Sequence, residues 1–245
     1  MSSNKTRRNQ YPLAQGRSAR RRFSLPHLLA RYDAAGTNLD NLKHWSAADG
    51  LSASAANSAD VRRTLRNRSR YEIANNSYAR GITLTLANDC VGTGPRLQML
   101  TADANANRVV ELEFLAWAEA IGLAERLRTM RLARVSDGES FGLLTSNPSI
   151  DSPVQLDVRL IEAEQVSAPG LELDRNRYID GIQFDSLGNA ISYDVLKEHP
   201  GDDAYSLSDN YDTVDAGDVV HYFRVERPGQ IRGIPDITPA LPREA

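Results

Sequence analysis

Apolar positions along this chain change their period once, near residue 138. Over residues 58–89 the repeat is helical. Asn75-Asn76 interrupts it, so the pattern predicts two helices with Asn76 as N-cap of the second. Beyond that cap Tyr78, Ile82 and Leu86 recur at four-residue spacing, a stripe expected to be buried. Val91-Gly92-Thr93-Gly94-Pro95 stops the helix, and with no Lys-Ser/Thr following it is not a phosphate-binding loop. Residues 107–121 form the clearest amphipathic helix, with Val110, Phe114, Trp117 and Ile121 on one face. Gly122 ends or kinks it. A further helix is expected over residues 123–135 carrying Arg126, Arg128, Arg131 and Arg134, but its mixed pattern selects no buried face.

After Asp137-Gly138 the period moves towards two. Residues 141–144 and 154–166 read as strands. Ile182 and Phe184 alternate on one arm of a hairpin and Ile191, Tyr193 and Val195 on the other, with Asp185-Ser186-Leu187-Gly188-Asn189 as the turn. Residues 199–218 are rich in Asp, Ser and Asn and read as a loop. Residues 219–223 form a last strand; Pro228-Gly229 turns it, Arg232-Gly233 lets the chain reverse, and Pro235 stiffens the exit. Helices first and strands afterwards argue an α+β fold: a helical amino-terminal half followed by mostly antiparallel strands.

Charge changes the picture at one end. Residues 1–80 carry 15 Lys/Arg against 5 Asp/Glu, and the remainder 14 against 27, beneath a net charge of only −3. Residues 1–32 contain no acidic residue and include Arg7-Arg8 and Arg20-Arg21-Arg22. This segment, residues 1–31, reads as a disordered basic arm able to meet polyanions, with an organelle transit peptide as the alternative. Tyr32-Asp33-Ala34-Ala35-Gly36 and Trp45 are expected to dock first onto a folded domain spanning residues 32–245. One cysteine, Cys90, allows no internal disulfide framework. No run approaches the roughly 20 apolar residues of a membrane-spanning helix, and no apolar core follows the basic start as a signal peptide requires.

Candidate chemistry is sparse. Gly138-Glu139-Ser140-Phe141-Gly142 has the spacing of a nucleophile elbow, with His199 or His221 as a conceivable base. That motif needs a strand before the serine and a helix after it, and here the order is reversed, so a plain turn is expected. His199, Asp202, Asp203, Asp209, Asp212, Asp215 and Asp218 could ligate Mg²⁺ or Ca²⁺, yet they lack the alternation around a glycine that calcium loops use. The expectation is therefore no catalytic, metal or cofactor residue. Phe114 and Trp117 suit a core better than a base-stacking platform. Arg62, Arg66 and Arg70 share a helix face suited to phosphates or to a partner's carboxylates, or simply to solvent. With Arg227, Gln230 and Arg232 of the final turn they are the candidate contacts for DNA or a neighbouring subunit.

The residues from His221 through Arg227-Pro228-Gly229-Gln230 and Arg232-Gly233 to Pro239-Ala240-Leu241 resemble the lambda-type tailed-phage portal proteins. The resemblance runs over residues 32–242 in order: Tyr32-Asp33-Ala34-Ala35, Trp45, Arg66/Arg68/Arg70 with Asn75-Asn76 and Ala79, and Val91-Gly92-Thr93-Gly94. Phe114 and Trp117, Asp137-Gly138-Glu139, Leu160-Ile161-Glu162, Gly181-Ile182 with Asp185, Gly188 and Tyr193, and His199-Pro200-Gly201 continue it. It implies a structural, non-enzymatic subunit of a homo-oligomeric ring, a dodecamer in the family. Such a ring sits at one capsid vertex of the virion and is assembled in the bacterial host cytoplasm. Double-stranded DNA passes through its channel in packaging and ejection, and it docks terminase, capsid and head-completion or tail proteins, with no membrane contact. The resemblance also implies that this is the amino-terminal, wing-like part, with the channel-wall, clip and crown regions absent, and that alone it does not close a stable ring. The competing expectation is a phage nucleic-acid-processing enzyme with a metal-dependent acidic site.

Overall fold

A computed structural model describes residues 35–36, 38–168, 177–202 and 210–241. The basic arm lies outside the described residues, as do Tyr32-Asp33-Ala34, Asp203 and Asp209. The chain divides into two units, Met1–Gly50 and Leu51–Ala245. In the first, Asn38 Oδ1 accepts from the amides of Asp40 and Asn41 to hold a turn, and half-exposed Trp45 meets His44 edge-on at 4.5 Å.

The second unit opens with helices α1 (Ala53–Ala56), α2 (Ala59–Asn75), α3 (Ser77–Val91), α4 (Ala104–Ala120) and α5 (Leu123–Asp137). Asn76 caps α3, its side chain accepting from the amides of Tyr78 and Ala79. Gly122, at φ 63°, separates α4 from α5. Seven strands follow: β1 (Glu139–Ser146), β2 (Leu156–Ile161), β3 (Tyr178–Ile179), β4 (Ile182–Phe184), β5 (Ala190–Leu196), β6 (Tyr211–Asp215) and β7 (Val219–Phe223). They form two antiparallel sheets, in the orders β2-β1-β7 and β3-β4-β5-β6. The α+β order expected from the period change is the order observed.

Alternation along β1 assigns its two faces. Phe141 and Leu143 turn towards the second sheet and form a core with Ala163, Val166, Ile182, Tyr193 and Val195. Ser140 and Gly142 turn the other way, towards α5; a Cβ on Gly142 would sit 3.7 Å from Met130 Cε. α5 thus lies across one face of the first sheet, and the second sheet packs on the other. The arginines of α5 tether it. Arg126 reaches the carbonyl of Val158 and, at 2.6 Å, the carboxylate of Asp157. Arg131 meets Asp236 at 3.2 Å, and Arg134 donates to the Tyr222 hydroxyl at 2.7 Å. Its mixed pattern reflects this use: the polar positions bind neighbouring elements rather than water.

Four local expectations need correction. Tyr78, Ile82 and Leu86 are exposed; α3 packs through Thr83 and Ala87, whose small side chains let it approach its neighbours closely. No residue of α4 is fully buried, Phe114 and Trp117 being only half-buried and Val110 exposed, because the helix leans on α5 and β2 along a narrow strip. The strand expected over residues 154–166 ends at Ile161. There Glu162 and Gln165 form a reciprocal capping box around a short 3-10 turn. The stretch over residues 199–218 holds β6, an acidic edge strand that its own alternation hid. It is recruited by backbone pairing to β5 and by Thr213 Oγ1 donating to Asp194 at 2.7 Å.

Candidate functional site: a buried carboxylate that gathers the arginines

Glu139 is the first residue of β1, placed immediately after the glycine that caps α5. Its side chain is fully buried, and every lone-pair direction is used. Arg66, from α2, donates to Oε1. Arg232 Nε lies 3.0 Å from Oε1 and 2.9 Å from Oε2, while His221 Nε2 and the Gly233 amide each lie 3.0 Å from Oε2. One carboxylate therefore joins α2, β1, β7 and the exit segment.

Arg232 spends its remaining donors inward. Nη1 reaches the carbonyls of Val166 (3.1 Å) and Asp180 (2.8 Å), and Nη2 that of Ala163 (3.1 Å). Asp180 accepts a second guanidinium from Arg62, which also donates to the carbonyl of Asn57. Asn57 Nδ2 in turn holds the carbonyls of Arg232 (3.0 Å) and Gly233 (3.3 Å). Gln230 closes the preceding turn: its Oε1 accepts from the amide of Glu226 at 2.9 Å and its Nε2 donates to the carbonyls of Arg224 and Arg232. The crossing of Gly138 with Gly233 makes this contact intimate. A Cβ on Gly138 would fall 2.5 Å from the backbone of Ile234, and one on Gly233 would overlap the Gly138 carbonyl.

Electrostatics follow from burial. Burial raises Glu139, but Arg232, the His221 hydrogen bond and Arg66 outweigh it and hold the carboxyl well below the ordinary glutamate value. Burial lowers His221 despite the pull of Glu139, so its imidazole is neutral at pH 7 and donates Nε2–H to the carboxylate. The Tyr193 hydroxyl lies 3.5 Å from the other ring nitrogen, and Phe141 and Phe223 stack on the ring at 4.2 and 4.4 Å. Burial, together with Arg232 and Arg66, lowers Arg62 to about 9 against the attraction of Glu139. The hub thus holds three guanidiniums on two carboxylates.

A second group lies alongside. Arg70 bonds Asp137 at 2.6 Å, Glu164 at 3.0 Å and Glu162 at 3.4 Å. Burial raises Asp137 against the Arg70 hydrogen bond. His199 adds an imidazole 3.3 Å from Glu162, and the ligand atoms of Glu162, Glu164 and His199 lie within 4.8 Å of one another. Those three could offer ligands to a cation, but the Arg70 guanidinium already sits on both carboxylates.

Of the six candidate contacts, Arg62, Arg66, Gln230 and Arg232 are buried within this framework. Arg70 is a third exposed, and Arg227 is exposed with its guanidinium 2.9 Å from the Leu51 carbonyl. Ser140 is buried inside β1 beside Tyr222 rather than on a turn, and its hydroxyl has no partner. In the acidic stretch, Asp212 pairs with Lys197 at 3.2 Å and Asp215 caps the amide of Gly217 at 2.8 Å, so these two are held in separate contacts. Asp137 and Glu139 figure in the sequence only within the Asp137-Gly138-Glu139 and Gly138-Glu139-Ser140-Phe141-Gly142 motifs, and Asp180 in neither; none of the three is marked there as a partner of the arginines. The available signal was a single acid, Glu139, opening a strand that continues through Phe141, Leu143 and Leu144.

The hub fixes a backbone path, binding α2, β1, β7 and the exit segment to one another. No helix among the described residues is long and apolar enough to cross a membrane. No individual curated protein matches the chain. Residues 41–244, which contain the whole hub, match the family described as phage portal protein, lambda family, and the chain belongs to that family of structural, capsid-associated phage proteins.

Proposed function

We propose that this chain is a subunit of a portal ring at one capsid vertex, around the channel through which double-stranded DNA is packaged and ejected. The family match over residues 41–244 carries the reading. The hub supports it, because a ring that withstands DNA passage needs rigid subunits, and Glu139 locks four segments through charge-assisted bonds. In this reading the ring is a dodecamer assembled in the bacterial cytoplasm that docks terminase first and head-completion or tail proteins later. Arg70 and Arg227, which keep exposed area, are the contacts to DNA or a neighbouring subunit, while Arg62, Arg66, Gln230 and Arg232 position the segment that carries Arg227.

The competing reading, a metal-dependent enzyme on nucleic acid, has its nearest support in the Glu162, Glu164 and His199 group that Arg70 neutralises. Immunogold labelling of virions containing this protein separates the two. A single label per capsid at the tail-bearing vertex is expected. Labelling spread over the shell, or virions without the protein, would sink the portal reading.

A further inference from the structure

Two helices of the second unit turn apolar faces to solvent. On α3, Tyr78, Ile82 and Leu86 are 83%, 59% and 38% exposed, one residue ahead of the positions that pack inward. On α4, Val109, Leu112 and Leu115 are 59%, 55% and 45% exposed, with exposed Ala116 among them. Within the second unit, among the described residues, nothing covers either stripe, and each is a run of apolar side chains on one helix face rather than a scatter of single residues.

The stripes lie on opposite flanks. Trp117 of α4 donates its indole N–H to the carbonyl of Leu156 at 2.8 Å, which places α4 at the β2 edge of the first sheet. Cys90 and Val91 at the end of α3 share a cleft of about 430 Å³ with Val220 and Tyr222, which places that end at the β7 edge. β1 separates those two strands.

The charges on the stripes match when the helices run antiparallel. Exposed Asp89 sits beyond the carboxyl end of the α3 stripe, and exposed Arg108 opens the α4 stripe. Tyr78 lies 11 residues before Asp89, and Glu119 lies 11 residues after Arg108. Eleven residues make about three turns, so in each helix both ends fall on one face. Antiparallel apposition then sets Asp89 against Arg108 and the Tyr78 hydroxyl against the Glu119 carboxylate. Ile82 and Leu86 fall between them against Leu112, Leu115 and Ala116. Reversing the direction would put the acid Asp89 beside the acid Glu119.

We propose that the α3 stripe of one copy docks antiparallel on the α4 stripe of a second copy, a head-to-tail contact between subunits. The proposal rests on the portal reading and names the surface it requires. Two different patches meeting through one rotation generate rings where the rotation closes and open chains where it does not, whereas a self-complementary patch stops at a dimer.

The test uses the whole chain at micromolar concentration in a Cys90→Ser background, with Ile82→Cys and Ala116→Cys made separately. All three positions are exposed, so the fold is expected to survive, as circular dichroism will show. Mild oxidation of the mixed variants should give a covalent dimer at least tenfold more abundant than either variant alone, and Leu187→Cys mixed with Ala116→Cys should give none. Disulfide formation within the Ile82→Cys or the Ala116→Cys sample alone would mean a self-complementary contact and overturn the proposal. Association by native mass spectrometry without a mixed disulfide would overturn this surface while leaving the portal reading intact. A strictly monomeric chain would overturn the contact too, and the location of the protein in virions then decides the portal reading separately.

Discussion

Arg232 reaches back 93 residues to grip Glu139, its Nε 2.9 Å from one carboxylate oxygen and 3.0 Å from the other. Both side chains are almost wholly buried, and Arg66 shares the same carboxylate. Removing the acid would leave the buried Arg66 guanidinium without its ion-pair partner and Arg232 with only Asp180, at 3.3 Å. Glu139→Gln is therefore expected to destabilise the fold by about 3–5 kcal/mol, measured by urea unfolding. Arg232→Met should cost less when combined with Glu139→Gln than the two single losses predict. Additive losses would show that the pair is not coupled.

The hub also makes stability depend on pH. The folded values of both His221 and Glu139 are lowered, so above 6.5 their contribution is fully present. As pH falls through 6.5 the unfolded chain takes up a proton on His221 that the native state refuses, and Glu139 adds a second loss that begins as pH falls through 4.5 and continues well below it. Stability should fall by up to about 1.4 kcal/mol per pH unit just below pH 6.5. His221→Gln should flatten that upper part of the curve. A wild-type urea midpoint that stays constant from pH 7 to pH 5 would contradict this.

Two glycines test the close crossing. Gly233→Ala drives a methyl group into the Gly138 carbonyl and should leave the chain largely unfolded. Gly229→Ala meets open space and strains only a backbone at φ 79°, a cost of about 1–2 kcal/mol. Equal melting temperatures for the two variants would show that the crossing is looser than described.

Ser140 gives a sharper negative. Its hydroxyl is buried inside β1 without a partner, so a fluorophosphonate probe should not label it. Ser140→Ala should leave the melting temperature unchanged or raise it, because an unsatisfied hydroxyl disappears. Labelling abolished by that substitution would restore the catalytic reading.

If Arg227 contacts phosphate, Arg227→Ala should reduce the slope of log affinity against log salt for non-specific DNA by about 1, with a stability loss of no more than about 1.5 kcal/mol from its bond to the Leu51 carbonyl. An unchanged slope assigns Arg227 to protein contact.

Much of the fold is legible in the chain itself because it depends on local chemistry. Asn76 caps α3 wherever that helix goes, Gly122 must break one helix from the next, and Asp185 to Asn189 closes its hairpin with its own side chains. The period change near residue 138 separates helices from strands for the same reason. Burial was a different matter. Tyr78, Ile82 and Leu86 have the spacing of a core stripe, but the spacing says only that they share a face, and α3 turns the smaller residues Thr83 and Ala87 inward. The arginines show the limit most clearly. Helical spacing places Arg62, Arg66 and Arg70 together, and turn chemistry places Arg232 after a reversal. Only the tertiary structure brings Glu139 and Asp180 to them from distant segments, and a charge can be buried only where such a partner arrives. A contact surface suggested by sequence therefore became, for four of its six residues, the inside of the molecule.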